Sequence, residues 1–229
     1  MKFKEFKISQ YQSTIFTPSC LFANHKILAE LLKKFTDFFD GETLTFSLPA
    51  EAPSEIPRII LQSNVHGVKF EASPARVNVF GYKLENEQDL KNYFSICHRI
   101  YECYVNTTHS VVGRLALVGI KKYEIQNPGL ELSKYFCRSD LLNDPLNAPL
   151  KRADKFELHA YKKYSFDDFT VNSWMRFRSE PEKSLVLVEQ DINTLSEDIN
   201  DKIFDLKSID KFHEKAKTEH DTILKKYFP

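Results

Sequence analysis

The sequence predicts one α+β domain over residues 1–229, built on an antiparallel or mixed sheet with helices packed on one face. Three observations predict it. The strand runs 58–82 and 156–192 follow one another with only turns between them, which is the pattern of antiparallel meanders. Two long segments repeat apolar residues every three to four positions, as helices laid on a sheet do. The order of elements then restarts after residue 109, so that halves 1–109 and 110–229 both read as a β-α-β(3-4)-α unit.

Residues 2–17 carry short extended runs (Phe3, Phe6, Ile8, then Tyr11, Ile15, Phe16) and stop at Pro18, which predicts a strand or a bent strand pair. Asn24 is the expected cap of a helix whose stripe Leu28, Leu31, Leu32, Phe35, Phe38 and Phe39 runs to Gly41. Residues 43–48 alternate as a strand, 49–57 form a proline-rich loop, and 58–63, 68–72 and 76–82 are strands. Asn86 caps a long helix with Leu90, Tyr93, Phe94, Cys97, Ile100, Tyr101 and Tyr104 on one face.

Residues 110–125 are apolar on both parities, which predicts a central strand covered on both faces. A short helix at 130–137 follows, then a loop punctuated by Asp144-Pro145 and Ala148-Pro149, then strands at 156–164, 169–178 and 184–192. An acidic loop (Glu197, Asp198, Asp201, Asp205) leads to Ser208, the expected cap of a last helix facing inward with Ile209, Phe212, Ala216, His220, Ile223 and Tyr227.

Charge and composition exclude several classes. Lysine plus arginine number 32 and aspartate plus glutamate 32, so no whole-molecule field draws the chain to nucleic acid or an anionic membrane. No apolar run approaches the roughly 18 residues of a membrane span, and the start lacks the apolar core of a signal peptide, which predicts a cytoplasmic chain with no membrane partner. Cys20, Cys97, Cys103 and Cys137 are then expected as free thiols.

The motifs of common chemistries are missing. The six glycines are too dispersed for a phosphate-cradling loop, and neither a Gly-x-Ser-x-Gly elbow nor a thiol-protease signature occurs. His213-Glu214 begins like a zinc-protease helix, but Lys217 stands where the second histidine must be. Cys97 and Cys103 point from different faces of one helix, and Glu219-His220-Asp221 diverge as helix neighbours do. No catalytic residue, metal or cofactor is assigned.

The hairpin 156–178 is the most informative region. One parity (Phe156, Leu158, Ala160, Phe169, Val171, Met175, Phe177) suits a core face. The other carries Glu157, His159, Tyr161 and Lys163, then Thr170, Asn172, Trp174, Arg176 and Arg178. Rigid rings beside guanidinium forks make binding hot spots. His159, Tyr161, Lys163, Trp174, Arg176 and Arg178 are therefore the candidate binding residues, unless a helix of the same domain covers them.

Three segments resemble a sporadically distributed family of uncharacterised prokaryotic proteins. They are the strand Gly113-Arg114-Leu115-Ala116-Leu117-Val118-Gly119-Ile120, similar to that family's R-[IL]-G-L-R-Y-[IL]-N strand but with Val118 and Gly119 where an aromatic and its neighbour are usual; the strand 185–193; and Glu219 to Phe228, with a His-Asp pair before a final Phe. The resemblance implies an α+β protein of mobile or defence-associated genes and brings no active site with it.

The expected function is a non-enzymatic binding module, such as an accessory subunit of a defence or toxin-control system, that engages a protein partner through the sheet. Nucleic-acid binding by the same hairpin, with Lys162, Lys163, Arg176 and Arg178 on phosphates, is the alternative. An enzyme whose residues converge around His159 or His220 stands third, and homo-oligomerisation is open.

Overall fold

A computed structural model describes residues 1–18, 20–49, 51–143 and 153–229. Its strands form one nine-stranded antiparallel sheet in the order β2-β3-β4-β5-β1-β6-β9-β8-β7. The first half supplies β1 (Lys7–Phe16), α1 (Asn24–Lys34), β2 (Thr43–Thr45), β3 (Ile59–Ser63), β4 (Val68–Ala72), β5 (Arg76–Gly81) and α2 (Glu87–Thr108). The second supplies β6 (Arg114–Glu124), α3 (Pro128–Phe136), α4 (Asp140–Asn143), β7 (Glu157–Phe166), β8 (Phe169–Glu180), β9 (Leu185–Thr194) and α5 (Leu206–Tyr227). The expected loop around Asp144-Pro145 and Ala148-Pro149 lies outside the described residues.

The sheet is centred on one seam. The opening strands of the two halves, β1 and β6, pair antiparallel from Lys7↔Lys122 to Phe16↔Arg114, and each half then extends outward from its own opening strand. The two long helices lie over this seam. Tyr101 of α2 donates a hydrogen bond to Ser13 on β1, while His220 of α5 packs on Gly119 of β6, where an added Cβ would come within 2.8 Å of the ring. α2 thus meets the seam through a buried hydroxyl contact on β1 and α5 through an imidazole laid on a glycine of β6.

The strands other than β2 send one parity of side chains under the helices. Tyr11, Ile15, Val77, Val79, Leu115, Leu117, Ile192 and Val171 meet Ile27, Leu31, Tyr93, Ile100, Tyr101, Ile209, Phe212 and Ala216 in the main core. A second cluster under α3 joins Leu132 to Met175, Phe177, Val186, Val188 and Phe228. Each large side chain buried this way contributes about 1.5–3 kcal/mol, which is why strict alternation is kept along β8, whose burial switches at every residue from Phe169 to Glu180.

Several expectations change. The central strand 110–125 is central, but among the described residues helices cover it on one face only; on the other face Ala116 is buried and Val118 and Ile120 are half-buried. Residues 2–17 make a short 3-10 turn at Phe3–Glu5 and one ten-residue strand with an irregularity between Ile8 and Gln10, not a strand pair. α1 ends at Lys34, where Phe35 leaves helical geometry (φ −118, ψ 46); the turn that follows passes through the left-handed Asp37 (φ 62) and packs Phe35, Phe38 and Phe39 together. Asn24 is inside α1 and makes no capping bond. Strand 43–48 is ladder-paired only over Thr43–Thr45.

At α2, Asn86 accepts from the backbone of Gln88 and Asp89, as expected of a cap. At α5 the cap is Asp205 rather than Ser208: its carboxylate accepts the Ser208 backbone N–H at 2.8 Å and the Ser208 hydroxyl at 2.6 Å, so Ser208 lies inside the first turn. The four cysteines are free. Among the described residues no helix is long and apolar enough to cross a membrane.

Candidate binding face

Among the described residues the second face of the sheet carries none of the helix contacts of the two cores, and the candidate hairpin residues lie on it. Tyr161 and Trp174 are direct partners across β7 and β8 with ring centroids 4.7 Å apart, and they are 52% and 36% exposed. The Arg176 guanidinium sits 5.6 Å from the Trp174 ring centre. Arg176 and Arg178 both reach Glu189 on β9, Arg178 at 2.9 Å. Lys163 is held by Glu197 at 3.0 Å, and Tyr161 donates to Asn172 at 2.7 Å. His159 stands opposite Arg176 in the ladder. These six residues therefore form one contiguous surface.

Lys162 does not join them. It pairs with Ser173, whose side chain is buried on the helix side, and its ammonium lies 4.4 Å from the Tyr164 ring centre. Adjacent strand residues point to opposite faces, so Lys162 and Lys163 cannot serve one phosphate-binding row.

The face continues beyond the hairpin. Phe16 on β1 is covered by the Arg114 guanidinium at 4.6 Å, and Arg114 is fixed by Thr194 O at 3.0 Å and Asn193 Oδ1 at 2.7 Å. On the far side Lys69 lies 4.5 Å over Phe80 and pairs with Glu71 at 2.8 Å, and Phe80 stacks with Tyr82. Between these pairs runs a buried polar row, in which Thr14 donates to Asn78 at 2.9 Å. The parity of residues 76–82 (Arg76, Asn78, Phe80, Tyr82) carries the same alternating signal as the hairpin, so this extension could have been read from the sequence.

Four cations on the face are paired with carboxylates, and Arg114 is held by neutral oxygens. Glu189 serves two arginines, and Glu71 and Glu197 serve one lysine each. Asp191, set between Val118 and Trp174 in the ladders, has its carboxyl pushed above the usual range by burial, which the Asn193 amide and nearby guanidiniums only partly offset.

On the helix side, α2 and α5 leave an open groove of about 680 Å³ between them. Leu90, Phe94 and His213 line it with Lys91, His98, Asp210, Glu214 and Lys217. His98 contacts Asp210 at 2.8 Å, and Lys217 contacts Glu87 at 2.9 Å. His213 reaches through to Ser13, with Nε2 2.6 Å from Oγ. The polar partner of His213 on β1 is 200 residues away and leaves no local signal in the sequence.

The remaining candidates do not converge. His220 is 2% exposed and neither ring nitrogen has a hydrogen-bond partner among the described residues, while its neighbour Asp221 is taken by Lys121 at 2.6 Å and Lys217 at 3.0 Å. His159 lies on the opposite side of the sheet from both. Among the described residues no group of three histidine, cysteine or acidic side chains is placed to hold a metal.

No protein-family model and no curated protein matches the chain. Among solved structures it is similar to a rolling circle replication initiator protein from Geobacillus stearothermophilus, at 10% identity and a TM-score of 0.27, over 96% of this chain and 80% of that one. A likeness at this level carries no argument about fold or function.

Proposed function

We propose that the protein is a non-enzymatic binding module that engages a protein partner through the bare face of its sheet, with Trp174 and Tyr161 as anchors. The observation that carries this reading is the pairing of an exposed Trp–Tyr contact with arginines that are already ion-paired. An anchor of this kind buries much apolar area at small entropic cost, and the mixed charges around it fit a partner that presents both signs. Nucleic acid asks for unpaired cations along a track. Here Glu189, Glu71 and Glu197 pair with Arg176, Arg178, Lys69 and Lys163, while Arg114 over Phe16 is held by the neutral Thr194 and Asn193 oxygens.

Four free thiols suit a reducing compartment, which supports a cytoplasmic site of action. The family resemblance of the second half extends the proposal to an accessory subunit of a prokaryotic defence or toxin-control system.

The test is affinity capture from cells that express the native operon, using wild type, Trp174→Ala, Arg176→Ala and, as a control on the helix side, Lys134→Ala. A partner lost with the first two variants and kept with Lys134→Ala is the expected outcome. Partners unchanged by all three overturn the role of the face. Single-stranded DNA or RNA bound by the purified protein at low salt, and released steeply as salt rises, would replace the protein partner with nucleic acid.

A further inference from the structure

β7 closes one end of the sheet and pairs only with β8, so one whole side of its backbone meets solvent. Glu157 and every residue from His159 to Lys163 are exposed. The edge at the other end, β2, is three residues long, against ten for β7.

The hairpin decides which backbone groups point outward. Only Asp167 and Asp168 separate Phe166 from its partner Phe169, so that pair is the one that exchanges both of its N–H···O bonds, and the alternation runs on through an unshifted register. Beyond the other end of the ladder, the Ser179 N–H donates to Phe156 O at 3.0 Å, which keeps the same alternation. Even-numbered residues of β7 therefore bond to β8. Glu157, His159, Tyr161, Lys163 and Ser165 turn their N–H and C=O groups to the free edge.

From this geometry we infer that the protein forms a two-fold homodimer in which β7 pairs antiparallel with β7 of a second copy, the axis passing at Ala160. His159 then lies opposite Tyr161 of the second copy and Glu157 opposite its Lys163, and the two-fold axis repeats each contact. The outward groups from Glu157 to Lys163 all become bonded, and opposite charges face each other at both ends of the paired stretch. Axes at His159 or Tyr161 would set Glu157 against Tyr161 or Ser165 instead, and odd-step registers would set outward groups against inward ones. Within one chain Glu157 is held by Lys155 and Lys163 by Glu197, each at 3.0 Å, but exposed pairs of this kind contribute little and exchanging them costs little. The two sheets then run into one. On the bare face the row Trp174–Tyr161 continues into His159 and Arg176 of the second copy, so each anchor pair gains a cation from the other chain. That last consequence rests on the proposed role of the face; the pairing does not.

The experiment measures the mass of purified full-length protein by light scattering and its dimerisation by sedimentation equilibrium. Two chains are expected, with Lys163→Glu and Glu157→Lys each weakening dimerisation by about tenfold, because each turns both cross-axis attractions into repulsions. The double substitution Glu157→Lys/Lys163→Glu restores the opposite charges and should return it to near the wild-type value. Ala160→Cys should give a disulfide-linked dimer on mild oxidation, since residues facing each other at a non-hydrogen-bonded position lie about 4.5 Å apart at Cα. Ser165→Cys, on the same edge but far from the axis, should give no more crosslinking than wild type with its own thiols. A monomer at the highest concentration the protein tolerates overturns the inference, as does a dimer indifferent to both single reversals or Ala160→Cys crosslinking no more than Ser165→Cys. These measurements need no partner, so a failed partner capture leaves the dimer standing and a monomeric mass leaves the single-copy face standing.

Discussion

Asp191 stands directly opposite Trp174 in the β8–β9 ladder, so a carboxylate is wedged against an indole in the middle of the bare face. Burial raises its pKa, which means the folded chain holds that proton more tightly than the unfolded one. Its stabilising share is complete below the ordinary carboxylate range and is lost as pH rises through the raised value. Asp191→Asn keeps the oxygen that accepts from Asn193 and removes the charge. Thermal melts at pH 7 should show a Tm higher by a few degrees, since about 1 kcal/mol moves Tm roughly 2–4 °C in a domain of this size. The gain should shrink in melts below pH 4; an unchanged or lower Tm at neutral pH contradicts the assignment.

The two buried histidines work in the opposite direction. His213 and His220 both have pKa values lowered to about 3 by burial, below the unfolded value of about 6.5. The folded chain binds fewer protons there, so stability falls as pH drops through about 6.5, and the loss is complete below about 3. Urea unfolding at half-unit pH steps should show this slope. In His220→Gln the slope between pH 6 and 4 should fall by about one proton's worth; a slope identical to wild type would mean that His220 titrates normally.

Gly113 makes a close approach that no side chain can share. An added Cβ would lie 1.8 Å from the carbonyl oxygen of Ile199, a backbone atom, while the Gly113 N–H is committed to Phe16 O at 2.9 Å. Gly113→Ala should cost about 1–3 kcal/mol or more, because the loop before α5 must shift. Chemical denaturation reads this directly, and a change within about 0.5 kcal/mol would show that the loop yields freely.

Glu189→Gln separates partner recognition from phosphate attraction. The substitution releases both Arg176 and Arg178 and should alter stability by less than about 1 kcal/mol, because these pairs are partly exposed. Binding to a protein partner should weaken, and weak salt-sensitive binding to single-stranded DNA should appear where wild type has none. Tight binding of wild type to DNA, unaffected by the substitution, would contradict the reading of the face.

The parts of the fold legible in the sequence are those where burial leaves a period. The face of α2 from Leu90 to Tyr104 and the alternation from Phe169 to Phe177 both come out as the pattern demands, because each position is decided by one side of one element. The candidate face was legible for the same reason. What stayed hidden depends on partners distant in sequence. The both-parity apolarity of 110–125 suggests two covering layers, yet Ala116, Val118 and Ile120 lie on the face without the core helices, beside mostly polar ladder partners such as Thr14, Gln12 and Glu189. The α5 start turned on a hydrogen bond, Asp205 to Ser208, that composition cannot assign between two good capping residues. The Ser13–His213 contact and the groove above it arise only when β1, α2 and α5 are assembled.

The β1–β6 seam also sets a timetable for the nascent chain. β1 leaves the ribosome early, but one of its two flanking strands begins only at Arg114, on the order of a hundred residues later, which is roughly 5–20 seconds of synthesis. Until then one full side of β1, with its row of backbone donors and acceptors and the apolar Tyr11 and Ile15 beside it, is an open edge. The protein should therefore be most vulnerable to chain–chain association while it is half made, and slowing translation beyond α2 should lower its soluble yield more than slowing it before β1.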